Sequence, residues 1–205
     1  KVKDTNLATR AIGLGVMGWA DLLIRLGIPY NTEEATKLAE KVMKYVQEES
    51  HKASQALAKS RGEFPNWKGS VWEKKKKKMR NAATITIAPT GTLSLIGNCS
   101  GGIEPLFAVA YSKKSIFTKE GTAKVEQFFV NPLFEYYAKK DGFWSEELVK
   151  KVAKKNSIKD IEEIPKKWRD VFVTSHDINP EWHIKMQSAF QKYTEPIAYW
   201  FGYCL

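Results

Sequence analysis

The residues with the clearest chemical potential form a glycine- and hydroxyl-rich turn, Pro89-Thr90-Gly91-Thr92-Leu93-Ser94. It follows the β-branched run Thr84 to Ile87 and opens an apolar stretch. β-Branched residues favour a pleated, half-buried setting. Pro89 cannot donate to a sheet ladder, so pairing should stop there. Gly91 opens backbone conformations closed to other residues and leaves room for a ligand. Thr90, Thr92 and Ser94 bring hydroxyls. A helix beginning near Leu93, capped by Thr90 or Thr92, would leave free N–H groups at its positive end. That is a place for an anion, phosphate or carboxylate. An ordinary βα turn has the same local chemistry. The turn lacks Gly-x-x-x-x-Gly-Lys-Ser/Thr, so it is not a Walker A loop.

The longer segment is specific. Ala88-Pro89-Thr90-Gly91-Thr92 followed by Gly102-Ile103-Glu104-Pro105-Leu106-Phe107 resembles the catalytic subunit of ribonucleotide reductase, most closely its adenosylcobalamin-dependent (class II) branch. Further matches are Arg10 through Gly18, Leu26-Gly27-Ile28-Pro29-Tyr30, Asn131-Pro132-Leu133-Phe134, Phe172-Val173-Thr174 with His176-Asp177-Ile178, and Met186 through Thr194. The resemblance covers residues 5 to 194. It implies an α/β fold, the helix-rich C-terminal half of the family's ten-stranded barrel, in a chain part that reduces ribonucleotides to deoxyribonucleotides. By the same resemblance Pro89, Thr90, Gly91, Thr92, Leu93 and Ser94 hold the substrate's phosphates, with Gly91, Thr92 and Leu93 acting through backbone N–H. Adenosylcobalamin is the implied cofactor, although no residue here is identified as binding it. The implied partners are a ribonucleoside di- or triphosphate, the remaining half of the catalytic chain, a second copy of the chain and an external thiol reductant such as thioredoxin.

The family's radical chemistry runs on cysteines, one of them in an Asn-x-Cys-x-Glu stretch. Here Cys99 and Cys204 are the only cysteines, and Asn98-Cys99-Ser100-Gly101-Gly102 fails that pattern. No residue is therefore assigned a catalytic role, and the 205-residue chain is expected to lack turnover alone. Residues 1–194 are read as the C-terminal part of the barrel domain. Residues 195–205, from Glu195-Pro196, depart from the family's continuation and are read as a divergent tail.

Hydrophobic residues make up 43% of the chain and aromatics 12%, which argues for a globular domain over a disordered one. No apolar stretch is long enough to span a membrane and no signal peptide is visible, and two unrelated cysteines make no disulfide framework, so a cytoplasmic location is expected. The net charge of +10 raises nucleic-acid binding as an alternative, through Lys74 to Lys78 and the later Lys pairs. Aromatic stacking platforms are sparse beside that run, which reads more simply as a solvated connection. A catalytically inactive nucleotide-binding scaffold is the other alternative.

The elements that must position the turn can be read coarsely. Residues 5 to 27 read as a helix hairpin or kinked helix, with Trp19, Leu22, Leu23 and Leu26 inward. Gly13-Leu14-Gly15-Val16-Met17-Gly18 fits a dinucleotide fingerprint by count only, because no hydrophobic strand precedes it. Asn31 and Glu34 suggest a reciprocal cap on a helix running to Ala58, with Ala35, Leu38, Ala39, Val42, Val46 and Ala53 as its stripe. His51 on it reads as solvated. Arg61 to Pro65 ends the helix. Residues 112–130 read as short strands or a loop excursion. Ser145 caps a helix that buries Leu148, Val149 and Val152. Asn179-Pro180 starts another, burying Trp182, Met186, Ala189, Phe190 and Tyr193. His176 and His183 do not converge as metal ligands. His176 and Asp177 suit a turn. Glu104 is read as fixing its own loop or orienting substrate indirectly, Asn98 as cap or ligand contact, and Cys99 as a packed thiol.

Overall fold

The structure is a computed structural model that describes residues 1–115 and 125–195. Its helices are α1 (Val2–Thr9), α2 (Trp19–Leu26), α3 (Glu33–Arg61), α4 (Val71–Lys74), α5 (Gly91–Gly97), α6 (Pro132–Lys140), α7 (Glu146–Lys155), α8 (Lys166–Val171) and α9 (Pro180–Gln191). An antiparallel hairpin joins β1 (Ala110–Ser115) to β2 (Val125–Val130), with Ala110 opposite Val130. Two parallel bridges, Leu14 with Ile85 and Leu106 with Thr174, mark extended segments lying side by side. Parallel pairing between segments that alternate with helices belongs to α/β folds, in line with the sequence. No helix among the described residues is long and apolar enough to cross a membrane.

The main departure from the sequence reading lies at residues 10–18. This stretch is not helical. It runs extended beside 83–86, with Ile12 N–H donating to Ala83 O, Leu14 N–H to Thr84 O and Thr86 N–H to Leu14 O. The glycines permit that approach. A Cβ on Gly13 would lie 2.6 Å from Thr86 Cγ2, and one on Gly15 would lie 2.7 Å from the Thr86 carbonyl oxygen. The Gly-x-Gly spacing therefore serves strand-to-strand contact.

Helix α2 then joins two cores. Trp19 and Leu23 pack with α3, Ile85, Ile103 and α9. Ala20 and Ile24 pack with Leu106, Val109 and the α6–α8 layer. Each pair is spaced i, i+4, so the two faces are separate stripes. Leu22 and Leu26, expected inward, are exposed.

Helix α3 is capped by Thr32, whose hydroxyl accepts from Ala35 N–H at 3.2 Å, in place of the expected Asn31–Glu34 pair. It runs to Arg61 and stops at Gly62, which takes φ 77°. Ala35, Ala39 and Met43 are buried as a stripe should be. Further along, Ala53 is exposed and Ser54 is buried in its place, because the partner there is backbone that needs hydrogen bonds. Ser54 Oγ donates to Asn81 Oδ1 at 2.9 Å and accepts from the N–H groups of Arg80 and Asn81.

Part of the 112–130 reading, residues 116–124, lies outside the described residues; the helices of the second half start where they were read. Ser145 Oγ accepts from Leu148 N–H at 3.0 Å, and Asn179 Oδ1 accepts from Glu181 N–H at 3.1 Å. Helix α9 buries Met186, Ala189 and Phe190, with Phe190 edge-on to Trp19. It lies along α3, tied by Gln47 to the Tyr193 carbonyl and by ion pairs Lys185–Glu33 and Lys192–Glu40. Tyr137 stacks on Trp168, while its neighbour Tyr136 remains exposed.

Candidate functional site

The extended segment 83–87 delivers the chain to Pro89, and α5 begins at Gly91. Thr90 is the residue before the helix and takes φ 52°, ψ 27°, a left-handed conformation uncommon for a β-branched residue. Its hydroxyl does not cap α5. It accepts instead from Gly102 N–H at 2.7 Å. The first intrahelical bond runs from Ser94 N–H to Thr90 O, so the N–H groups of Gly91, Thr92 and Leu93 have no acceptor among the described residues. Three uncommitted N–H groups at a helix start, beside the Thr92 hydroxyl, are an arrangement that can donate to an anion.

Two expected contributions change. Helix α5 starts two residues earlier than the sequence suggested, at Gly91 rather than near Leu93. The Ser94 hydroxyl is buried and donates back to Gly91 O at 3.1 Å, so its proton is not available to a ligand. Thr90 acts mainly through its bond to Gly102, while Thr92 and Leu93 are exposed residues.

The Gly101-Gly102 pair is the turn's buttress. A Cβ on Gly102, which has φ 44°, would meet Ala88 O at 3.1 Å, and one on Gly101 would meet Pro89 O at 3.5 Å. The N-terminus of α2 holds the same pair from behind. Gly18 N–H donates to Ser100 O and Trp19 N–H to Gly102 O. The Asp21 carboxylate accepts from Ser100 N–H at 2.8 Å while Asp21 N–H donates to Ser100 Oγ. Burial pushes the Asp21 carboxyl above its ordinary value, against the lowering effect of the Ser100 bonds and of Arg25. Tyr30 completes the frame, donating to Ile103 O at 2.8 Å.

Glu104 is exposed and takes no bond from the N–H groups of its own loop, so the expected loop-fixing role falls to Thr90 and Asp21. It lines a largely apolar cavity of about 490 Å³ with Tyr30, Phe107, His183, Ile184 and Gln187. Asn98 is the C-cap of α5 in a left-handed conformation, at the opposite end from the free N–H groups. Cys99 is half-buried against Gly18 and Gly97. Asp177 closes a turn by accepting from the Thr174 N–H and hydroxyl and from Ser157, as expected for a turn residue. His183 Nε2 lies 3.2 Å from Ser175 O, and His176 is edge-on to Phe107. Among the described residues no group of three His, Cys, Asp or Glu side chains is arranged to hold a metal ion.

Sequence reasoning missed a polar node beside residues 84 and 85 of the strand that leads to the turn. His51, expected to be solvated, is only 15% exposed in its side chain and places Nε2 2.6 Å from Glu195 Oε1. The signal was thin, a lone His on a helix and an acid at the edge of the family resemblance. Glu195 is the sole residue of the expected tail among the described ones.

The family model described as "Ribonucleotide reductase, barrel domain" matches residues 1–79 and 72–195. The chain belongs to the ribonucleotide reductase barrel-domain family. It is 49% identical over 195 residues to a vitamin B12-dependent ribonucleoside-diphosphate reductase of Thermoplasma acidophilum, covering 95% of this chain and 24% of that one. It is 42% identical over 188 residues to a protein of the same name from Mycobacterium tuberculosis, covering 92% of this chain and 26% of that one. The chain thus spans about a quarter of the length of the curated relatives it matches. Among solved structures it resembles the Actinobacillus ureae class Id ribonucleotide reductase alpha subunit, with TM-score 0.76 and 27% identity over 93% of this chain and 32% of that one.

Proposed function

We propose that this chain is the substrate-phosphate-holding part of a ribonucleotide reductase catalytic subunit, of the B12-dependent branch. The observation that carries the reading is the set of uncommitted N–H groups of Gly91, Thr92 and Leu93, held in place by the Thr90–Gly102 bond. The diphosphate of a ribonucleoside diphosphate would accept from these groups and from the Thr92 hydroxyl. Bonds to a charged acceptor are the strong ones, about 1.5–3 kcal/mol each. The names of the B12-dependent diphosphate reductases support the substrate class.

None of the described residues is assigned to the corrinoid itself. The cavity at Glu104 is of a size for a nucleoside or similar small molecule, about 490 Å³. The buried side-chain nitrogens left without partners among the described residues, Arg10 Nε, Trp19 Nε1 and Arg169 Nε, do not line it. In this reading the cofactor, the thiyl cysteine and the reducing cysteines belong to other parts of a longer chain. The part described here binds and orients substrate.

Half of the later paired lysines are neutralised by acids, which weakens nucleic-acid binding through them. Lys139, Lys151, Lys166 and Lys167 are paired with Glu135, Glu163, Asp170 and Asp141. Equilibrium dialysis against a labelled ribonucleoside diphosphate tests the proposal. Binding displaced by pyrophosphate but not by the free nucleoside is expected. Binding that ignores pyrophosphate, or none, would overturn it.

A further inference from the structure

We propose that Glu195 is a positioning residue for the phosphate turn, holding the free edge of the strand that carries it. This rests on the phosphate reading given above. Glu195 lies four residues beyond the end of α9 and is 7% exposed. Its Oε2 accepts from Ile85 N–H at 2.8 Å. Its Oε1 accepts from the Thr84 hydroxyl at 3.2 Å and lies 2.6 Å from His51 Nε2.

The direction of the Ile85 bond gives the carboxylate its role. In the pairing with residues 12–14, Thr84 O accepts and Thr86 N–H donates, so these groups face the neighbouring strand. Ile85 N–H points to the other edge, where a barrel strand would ordinarily meet it. At that edge it meets a carboxylate. Helix α3 backs the same edge with a row of polar side chains. Ser50 Oγ lies 2.9 Å from Thr84 Oγ1, His51 reaches Glu195, Ser54 bonds Asn81, and the His51 ring sits edge-on to Trp72. The segment 81–85 is therefore held on both sides, five residues before Thr90 at its nearer end. Thr90 must keep a strained left-handed conformation, and a strand free to slide or twist at Ile85 would not hold it.

A structural role in general and this specific one make different predictions. Glu195→Met keeps the volume and removes the acceptor. Glu195→Gln keeps an acceptor for Ile85 N–H. Amide hydrogen exchange is followed in the 205-residue chain and both variants, with the denaturant midpoint recorded for each. In Glu195→Met, exchange at Gly102, whose N–H depends on Thr90, should speed up by about tenfold or more, beyond any change at core amides such as Leu23 and Met43. Glu195→Gln should restore it, and pyrophosphate affinity should follow the same order. Exchange at Gly102 that is unchanged, or that rises only in step with Leu23 and Met43, would overturn the proposal. Should Glu195→Met fail to fold, Glu195→Asp, whose carboxylate is too short to reach Ile85, takes its place with the same expectations. If the exchange pattern holds but the parent chain does not bind pyrophosphate, the phosphate reading fails and Glu195 positions a turn of other use.

Discussion

The Thr90 hydroxyl accepts from Gly102 N–H at 2.7 Å, across twelve residues of sequence, and this bond holds a β-branched residue at φ 52°. The left-handed conformation costs Thr90 about 1–2 kcal/mol. Thr90→Val keeps the branching and removes the acceptor, leaving Gly102 N–H without a partner. A loss of about 1–3 kcal/mol in urea unfolding is expected, together with weaker pyrophosphate binding.

Thr92 should separate fold from function. Its position in the first turn of α5 is exposed. Thr92→Asp adds a negative charge near the helix's positive end and should stabilise the chain by about 0.3–1 kcal/mol. The same charge repels phosphate. Thermal unfolding and pyrophosphate titration of the one variant should move in opposite directions. A stabilised variant that still binds normally would exclude the α5 N-terminus as the site.

Close strand approach predicts a ranking among glycines. Gly15→Ala drives a methyl to 2.7 Å from the Thr86 carbonyl oxygen, which is backbone and cannot yield cheaply. The expected loss is about 1–3 kcal/mol. Gly27, at φ 71° in open space, carries only conformational strain when substituted. Chemical denaturation should rank Gly15→Ala as the more damaging change.

Much of the architecture was legible because its signals are local. Asn179-Pro180, Ser145 and the Arg61-Gly62 stop are capping and breaking chemistry within a few residues, and each sits where it was expected. The turn at Pro89 to Ser94 was found from residue types, but the roles within it were not. Whether Ser94 bonds a ligand or its own helix depends on the residue at which the helix starts, and α5 starts at Gly91. Residues 10–18 misled because glycines flanked by apolar residues suit tight helix packing as well as close strand pairing. Only Thr86, seventy-odd positions away, decides between them. His51 and Glu195 were illegible for the same reason, since each is explained by a partner 144 residues distant.

Acid should find two carboxylates pulling in opposite directions. Burial alone would raise the Glu195 carboxyl, but the bonds from His51, Ile85 N–H and Thr84 outweigh it and hold the group below its usual 4.5. Its folded value is depressed, so its contribution is present above that value and lost as pH falls through the range beneath it. Asp21 is raised above 3.8 by burial, so charging it costs stability as pH rises past that point. Glu195→Gln should flatten the acid limb of the stability–pH curve. Asp21→Asn should raise the plateau near neutral pH, provided its oxygen keeps the Ser100 N–H. Urea midpoints across the acid range check both signs.

The most direct test of the central claim is to follow the backbone amide resonances of Gly91, Thr92 and Leu93 while a ribonucleoside diphosphate is added. Saturable shifts concentrated at these three amides and at Gly102, abolished by Thr92→Asp, are expected. Saturable binding that leaves all four unmoved, or shifts them equally in Thr92→Asp, would contradict the claim.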